Sequence, residues 1–244
     1  MAELPRLILA VTPDQAKSVH TKDFTPAHVA YRLESGPTLN RLRHAQPGPG
    51  GLLYLGEDRL SGNNYSFLLQ QILRECAARH FQGVIADLPE DAQSLVAILD
   101  EALPKNALTL YVPERFQPQV KKARLMVSTS LSGGSLRRHL QEKTERFGAN
   151  RLVAVLERRA VTLTPDGNGH TTPLTREALE GLKQQRKPQI HFSPELCMRY
   201  FTYSDQGQLR FVLYDDRETL SGKRRLCGEL GIRVCLTGWG DMQP

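Results

Sequence analysis

Residues 124–156 read RLMVSTSLSGGSLRRHLQEKTERFGANRLVAVL. Arg124–Ser128 is a short β-rich run, and a Gly133-Gly134 turn follows it. Ser135–Phe147 then reads as a helix, and Arg151–Leu156 is a second apolar run of strand length. Strand, turn, helix and strand in this order make one βα repeat, and the same rhythm extends in both directions. Upstream lie the runs Arg6–Thr12, His28–Leu33, Gly51–Leu55, Gly83–Leu88 and Ala107–Val112. Between them, Tyr65–His80 carries Leu68, Leu69, Ile72, Leu73 and Cys76 at helical spacing, and a helix Ala92–Leu103 is stopped by Pro104. Downstream, a helix Thr219–Leu230 ends at Gly231 and leads into a last run, Ile232–Leu236.

Eight β-rich runs alternating with helices predict parallel βα units. In a chain of 244 residues they fit one closed (β/α)8 barrel, a TIM barrel spanning 1–244 as a single domain. An open doubly wound sheet is the alternative, but no G-x-G-x-x-G follows the first run, so a dinucleotide-binding sheet has no support. Residues 158–217 break the rhythm and predict a small α+β insertion after strand 7. It contains a short β piece at Val161–Thr164, a turn at Asp166-Gly167-Asn168-Gly169 and a helix Thr175–Gln185. Two strands, Met198–Tyr203 and Leu209–Tyr214, are joined by a hairpin turn at Ser204-Asp205-Gln206-Gly207. Leaving from the C-terminal end of a barrel strand, this insertion is expected to wall one side of the barrel mouth.

Composition narrows the partners. Forty per cent hydrophobic and 24% charged residues are the balance of a globular chain, which excludes disorder over most of the length. The sequence holds no uncharged apolar run of the ~18 residues a membrane span needs, so no membrane partner is expected. The formal net charge is +6, and the basic pairs, Arg158-Arg159 among them, are scattered. They read first as solvated surface, which gives nucleic acid little support, and second as contacts for an anionic polymer such as cell wall. Cys76, Cys197, Cys227 and Cys235 lack C-x-x-C spacing, and no histidines pair at ligand spacing, so neither a metal nor another cofactor is expected. The first residues do not form a secretion signal, which predicts a cytoplasmic chain as given, with spore or cell-wall association left open.

The C-terminal third is the most specific part. Phe201-Thr202-Tyr203-Ser204-Asp205-Gln206-Gly207 is followed by Phe211-Val212-Leu213-Tyr214-Asp215-Asp216, then Thr219, Lys223, Gly231 and Trp239. This series resembles the end of glycoside hydrolase family 18, the chitinase-like family. It is most similar to the bacterial branch that includes spore cortex-lytic N-acetylglucosaminidases. Leu174–Leu179 resembles the helix of that family's insertion, and Phe81–Leu88 resembles its signature fourth strand. The resemblance implies a (β/α)8 barrel acting on an N-acetylglucosamine polymer of peptidoglycan or chitin type. It also implies substrate-assisted hydrolysis, in which the sugar's own acetamide oxygen attacks, an Asp orients it, and a Glu protonates the leaving oxygen.

Two departures bear on that chemistry. The family's fourth strand reads D-G-x-x-x-D-x-E, ending on the acid. Aligned on Gly83, Asp87 matches the later Asp, and Pro89 stands where the acid belongs. Glu90 is one residue late and, by strand alternation, points the other way unless Pro89 kinks the chain. On strand 6, Met126 matches the family's Met-x-Tyr-Asp, but Ser128 and Thr129 replace the Tyr and Asp that support the acetamide. Asp87 and Glu90 are therefore the candidate catalytic remnants. Trp239, Tyr214, Met126, Glu57 and Glu114 are the candidate sugar-binding residues. Glu57, Glu114 and Glu157 belong to a set of rim carboxylates whose simpler reading is ordinary loop polarity, just as Tyr54 and Tyr214 read first as packing and only second as a sugar platform. The expectation is a divergent, inactive relative that binds a carbohydrate polymer or a protein partner. The alternative is a working glycosidase with Glu90 as a displaced acid.

Overall fold

The computed structural model describes residues 3–17, 23–34, 38–42, 46–56, 65–164 and 171–242. Glu57 and the turn Asp166-Gly167-Asn168-Gly169 lie outside these residues. Eight strands close into a parallel barrel: β1 (Arg6–Val11), β2 (Phe24–His28), β3 (Leu52–Gly56), β4 (Gly83–Asp87), β5 (Thr109–Pro113), β6 (Arg124–Ser128), β7 (Leu152–Leu156) and β8 (Val234–Gly238). Neighbours follow chain order round the ring, and β1 closes it by pairing with both β2 and β8. The helices between strands are α1 (Tyr65–Arg79), α2 (Gln93–Lys105), α3 (Leu136–Phe147), α4 (Arg176–Arg186), which belongs to the insertion, and α5 (Arg217–Glu229).

Strand alternation divides the core into two layers. Ile8, Leu52, Ile85, Tyr111, Met126 and Val153 face the barrel axis and pack on one another. Their neighbours Leu7, Leu53, Val84, Leu110, Leu125 and Leu152 face outward and pack under the helices, against Ile72, Leu99, Leu140 and Cys227. Cys76 and Cys235 are small buried members of this outer layer.

Two strands lie elsewhere than the sequence predicts. His28–Leu33 does not form the second barrel strand, which ends at His28 and carries Pro26 within it. Proline is tolerated there because pairing with β3 begins only at Ala27, so its missing N–H leaves no gap in that ladder. The apolar residues after His28 serve a hairpin, Tyr31–Glu34 with Thr38–Arg41, laid on α1. The Tyr31 hydroxyl donates to Glu75 at 2.8 Å, and the Leu39 N–H donates to Gln71 at 2.9 Å. The last strand begins at Val234 rather than Ile232. Gly231, at φ +79°, and Ile232 close α5 instead, with Gly231 N–H donating to Gly228 O and Ile232 N–H to Cys227 O. This is a Schellman cap, and Ile232 is its apolar staple.

The insertion is a five-stranded sheet formed by Ala160–Leu163, Thr171–Pro173, His191–Ser193, Met198–Asp205 and Gln208–Tyr214. The last two form the expected antiparallel hairpin. Gln206 and Gly207 both have positive φ, 50° and 78°, as a two-residue type I′ turn demands. The helix α4 covers one face of the sheet, packing Leu179 on Phe201, Val212 and Tyr214. The two edge strands of three residues each were not foreseen, being too short for a period to register.

The joint between insertion and barrel holds a fully buried pair of charges. Asp215 N–H donates to Arg159 O at 2.8 Å, closing the neck. The Asp215 carboxylate receives Lys223 Nζ at 2.8 Å and the Thr219 hydroxyl at 2.9 Å, and neither charged side chain exposes any surface. Burial pushes the Asp215 carboxyl up, while Lys223 and Thr219 pull it down. Asp216 caps α5 by accepting from Thr219 N–H at 2.9 Å. The Asp-Asp-x-x-Thr-x-x-x-Lys series is thus a lock between the neck and the helix that follows it. Lys223→Met is expected to leave a buried anion without its cation and to lower the unfolding free energy by about 3–5 kcal/mol. Asp215→Asn combined with Lys223→Met is expected to recover much of that loss, and urea unfolding of both variants measures it.

Candidate functional site

At the C-terminal end of the barrel the inner layer opens into a cavity of about 580 Å³. Its floor includes Met126, and its walls carry Tyr54, Asp87, Glu114, Arg115, Glu157 and Asp241. These residues come from the ends of β3, β4, β7 and β8 and from the turn after β5, the rim on which barrel sites are built.

Asp87 is the last residue of β4 and points inward, continuing the face of Ile85. The Tyr54 hydroxyl donates to its Oδ2 at 3.1 Å, and the Arg115 guanidinium lies 3.5 Å from its Oδ1. Arg115 also donates to Leu88 O and lies over the Phe116 ring at 5.2 Å, so it is held from two sides. Burial and the Asp87 charge raise the Tyr54 hydroxyl well above its usual range, which keeps it a donor. Glu114 is ion-paired to Lys143 of α3.

Across the cavity, Glu157 follows β7 and continues the inward face of Val153 and Val155. Burial raises its carboxyl above the usual range first, and the charges of Asp241 and Asp87 raise it further. Asp241 lies on the short helix Trp239–Met242 and accepts Arg158 N–H at 3.2 Å. The cavity thus offers Asp87, held by two donors, facing Glu157, whose carboxyl is raised above its usual range. Such an arrangement binds hydroxyl and amide groups, which both donate and accept.

The remaining candidates are placed as follows. Glu90 is exposed on the 3-10 turn Glu90–Ala92 and is not among the cavity's lining residues. The chain leaves the strand through Pro89 in an extended conformation, at φ −66° and ψ 164°, so Pro89 does not turn Glu90 into the mouth. Trp239 is also absent from the lining; it packs with Leu9, Val11, Phe24 and Met242 beside β1. Tyr214 is buried in the insertion, its ring 6.2 Å from that of Phe201 and 4.2 Å from Lys183 Nζ. Ser128 lines the cavity, whereas the Thr129 hydroxyl is spent on Val155 O at 2.7 Å. The insertion beyond Arg159 does not line the mouth cavity but an adjoining cleft.

Arg115 and Asp241 escaped the sequence reading, and Glu157 and Tyr54 stood there only as rim polarity and packing. Their signal is position: each sits at, or within a few residues after, the end of a barrel strand. Among the described residues, no group of three or more His, Cys, Asp or Glu side chains is placed to hold a metal ion, and no helix is long and apolar enough to cross a membrane.

No family model and no curated protein matches the sequence. Solved structures do match. The spore cortex-lytic enzyme SleL of Bacillus megaterium QM B1551 aligns over 100% of this chain and 72% of its own, at TM-score 0.66 and 12% identity. A chitinase of Chromobacterium violaceum ATCC 12472 aligns over 99% and 96%, at TM-score 0.68 and 12% identity. The class V chitinase of Nicotiana tobaccum aligns over 95% and 92%, at TM-score 0.62 and 12% identity. The fold is therefore a (β/α)8 barrel like that of these chitinases and of the cortex-lytic enzyme.

The electrostatics of the mouth are open to titration. The carboxyl carbon of Glu157, followed by NMR, is expected to titrate above the ordinary glutamate value. Asp241→Asn removes a neighbouring negative charge, so the midpoint should fall. A midpoint at or below the ordinary value in the natural chain would contradict this description of the cavity.

Proposed function

We propose that this chain binds an N-acetylglucosamine polymer, of peptidoglycan or chitin type, in the mouth of its barrel and does not cleave it. The observation that carries the reading is the end of β4. Asp87 faces the cavity, the next inward position is Pro89, and the two carboxylates that follow, Glu90 and Asp91, are exposed on the next turn and do not line the cavity. Proline has no proton to donate. General acid–base catalysis contributes about 10²–10⁴-fold, so its loss removes turnover while leaving the contacts that hold sugar. The likeness of the fold to chitinases and a cortex-lytic enzyme supports the choice of polymer.

Strand 6 supports the same reading. The acetamide-supporting pair of the resembling family is replaced by Ser128, which is small, and Thr129, whose hydroxyl is engaged by the backbone of β7. The remaining polar groups, Tyr54, Asp87, Arg115 and Glu157, suffice to grip hydroxyls and amides. A hydrolase acting through Glu90 finds less support, because that side chain lies off the cavity. A protein partner in the mouth finds none.

Binding is the direct test. Isothermal titration of the natural chain with chitotetraose is expected to give a single site. Asp87→Asn removes the charge that orients Tyr54 and Arg115, and should weaken that site by about ten- to hundredfold, the range of a hydrogen bond to a charged group. Glu90→Gln should leave it unchanged. Equal affinity of the natural chain and Asp87→Asn would contradict a sugar site in this mouth.

A further inference from the structure

Next to the mouth lies a second cleft of about 370 Å³, between the insertion helix α4, the start of α5 and the segment Arg158-Arg159 that leaves β7. Asp241 lines both clefts and accepts the backbone N–H of Arg158, so the two adjoin. Four arginines reach the second one: Arg158, Arg159, Arg176 and Arg217.

Its acidic residues are largely spoken for. Asp215 is locked to Lys223 out of contact with solvent, Asp216 is paired with Arg199, and Glu180 with Lys183 at 2.8 Å. Arg158, Arg159 and Arg217 are not neutralised to the same degree. Arg159 gives one N–H to Ser130 O at 3.3 Å. Arg217 is exposed at the first position of α5 and forms no ion pair with the described residues. The Nε of Arg158 is buried without any acceptor. A buried donor without a partner costs free energy that an incoming acceptor would restore. Guanidinium groups are suited to the planar, two-oxygen face of a carboxylate. Arg176 and Arg217 are also the first residues of two helices, whose N-terminal ends add partial positive charge at the cleft.

We propose that this cleft is a subsite for an acid group carried on the glycan, a carboxylate projecting from the sugar chain that occupies the mouth. The inference rests on the reading of the mouth as a sugar site and deepens it. It selects an acidic, peptidoglycan-type polymer over neutral chitin. Asp241 is common to both clefts, but a carboxylate in the mouth would also meet Asp87 and Glu157, which do not line the arginine side.

Titration of two ligands of equal length tests it. One is chitotetraose; the other is a tetrasaccharide alternating N-acetylglucosamine with N-acetylmuramic acid, whose lactyl groups carry carboxylates. The natural chain should bind the acidic ligand at least about tenfold more tightly, the effect of one added charge-assisted hydrogen bond. That advantage should shrink as salt is raised. Arg158→Gln combined with Arg217→Gln should abolish the difference and leave chitotetraose affinity unchanged. Equal affinity for both ligands in the natural chain would overturn the subsite while leaving the mouth reading intact. So would a double variant that loses both ligands equally. Binding of neither ligand would overturn both readings. Inorganic phosphate separates the remaining source: competition with the acidic ligand supports the subsite. Phosphate binding with no advantage for the acidic ligand would assign the arginines to a free anion and overturn the proposal.

Discussion

A side chain on a closed parallel barrel faces either the axis or the surrounding helices, and the choice changes at every residue. That alternation decides which carboxylates of this chain reach the mouth. On β4 it sends Ile85 and Asp87 inward and Ala86 and Leu88 into the outer layer, so the next inward place falls on Pro89. On β7 the same alternation sends Val153 and Val155 inward and brings Glu157 to the rim. The cavity therefore keeps a carboxylate on β4 and gains one after β7, with no proton donor at the place where the resembling family has its acid. Asp87 is met instead by the Tyr54 hydroxyl and the Arg115 guanidinium.

The second constraint is the neck. An insertion that leaves the barrel at one residue pair must return at the same place, and here Arg159 O receives Asp215 N–H while Ala160 pairs with Tyr214. The buried Asp215–Lys223 pair and the cap at Asp216 tie this neck to α5, which packs on the barrel through Leu220 and Cys227. Ion pairs buried this fully gain little net stability over apolar packing, but breaking one is costly, and so they fix geometry. The arginine-lined cleft is a product of that geometry, since it is bounded by the neck, α4 and the start of α5.

Much of the architecture was legible because its signals are local. The type I′ turn at Gln206-Gly207, the buried face of α1 and the strand Gly83–Asp87 each follow from a few adjacent residues. The misplaced pieces are those in which an apolar residue serves another element. Tyr31 belongs to a hairpin on α1 and Ile232 to a helix cap, and both imitate strand residues in sequence. Site residues were legible only along single strands. Asp87 could be identified from its own segment, whereas Arg115, Glu157 and Asp241 gain their meaning from one another across the barrel, and no spacing encodes that proximity. Trp239 carries the opposite lesson, for its place in the series matches a sugar-facing residue while its ring packs beside β1.

The central claim is that the mouth holds sugar without cleaving it. Release of reducing ends from chitotetraose and from the muramic-acid tetrasaccharide, measured at high protein concentration over long incubation, tests it most directly. The account predicts no release above a boiled control, from the natural chain and from Glu157→Gln alike. Release by the natural chain that disappears in Glu157→Gln would contradict it, and would make Glu157, across from Asp87, the acid of a working hydrolase.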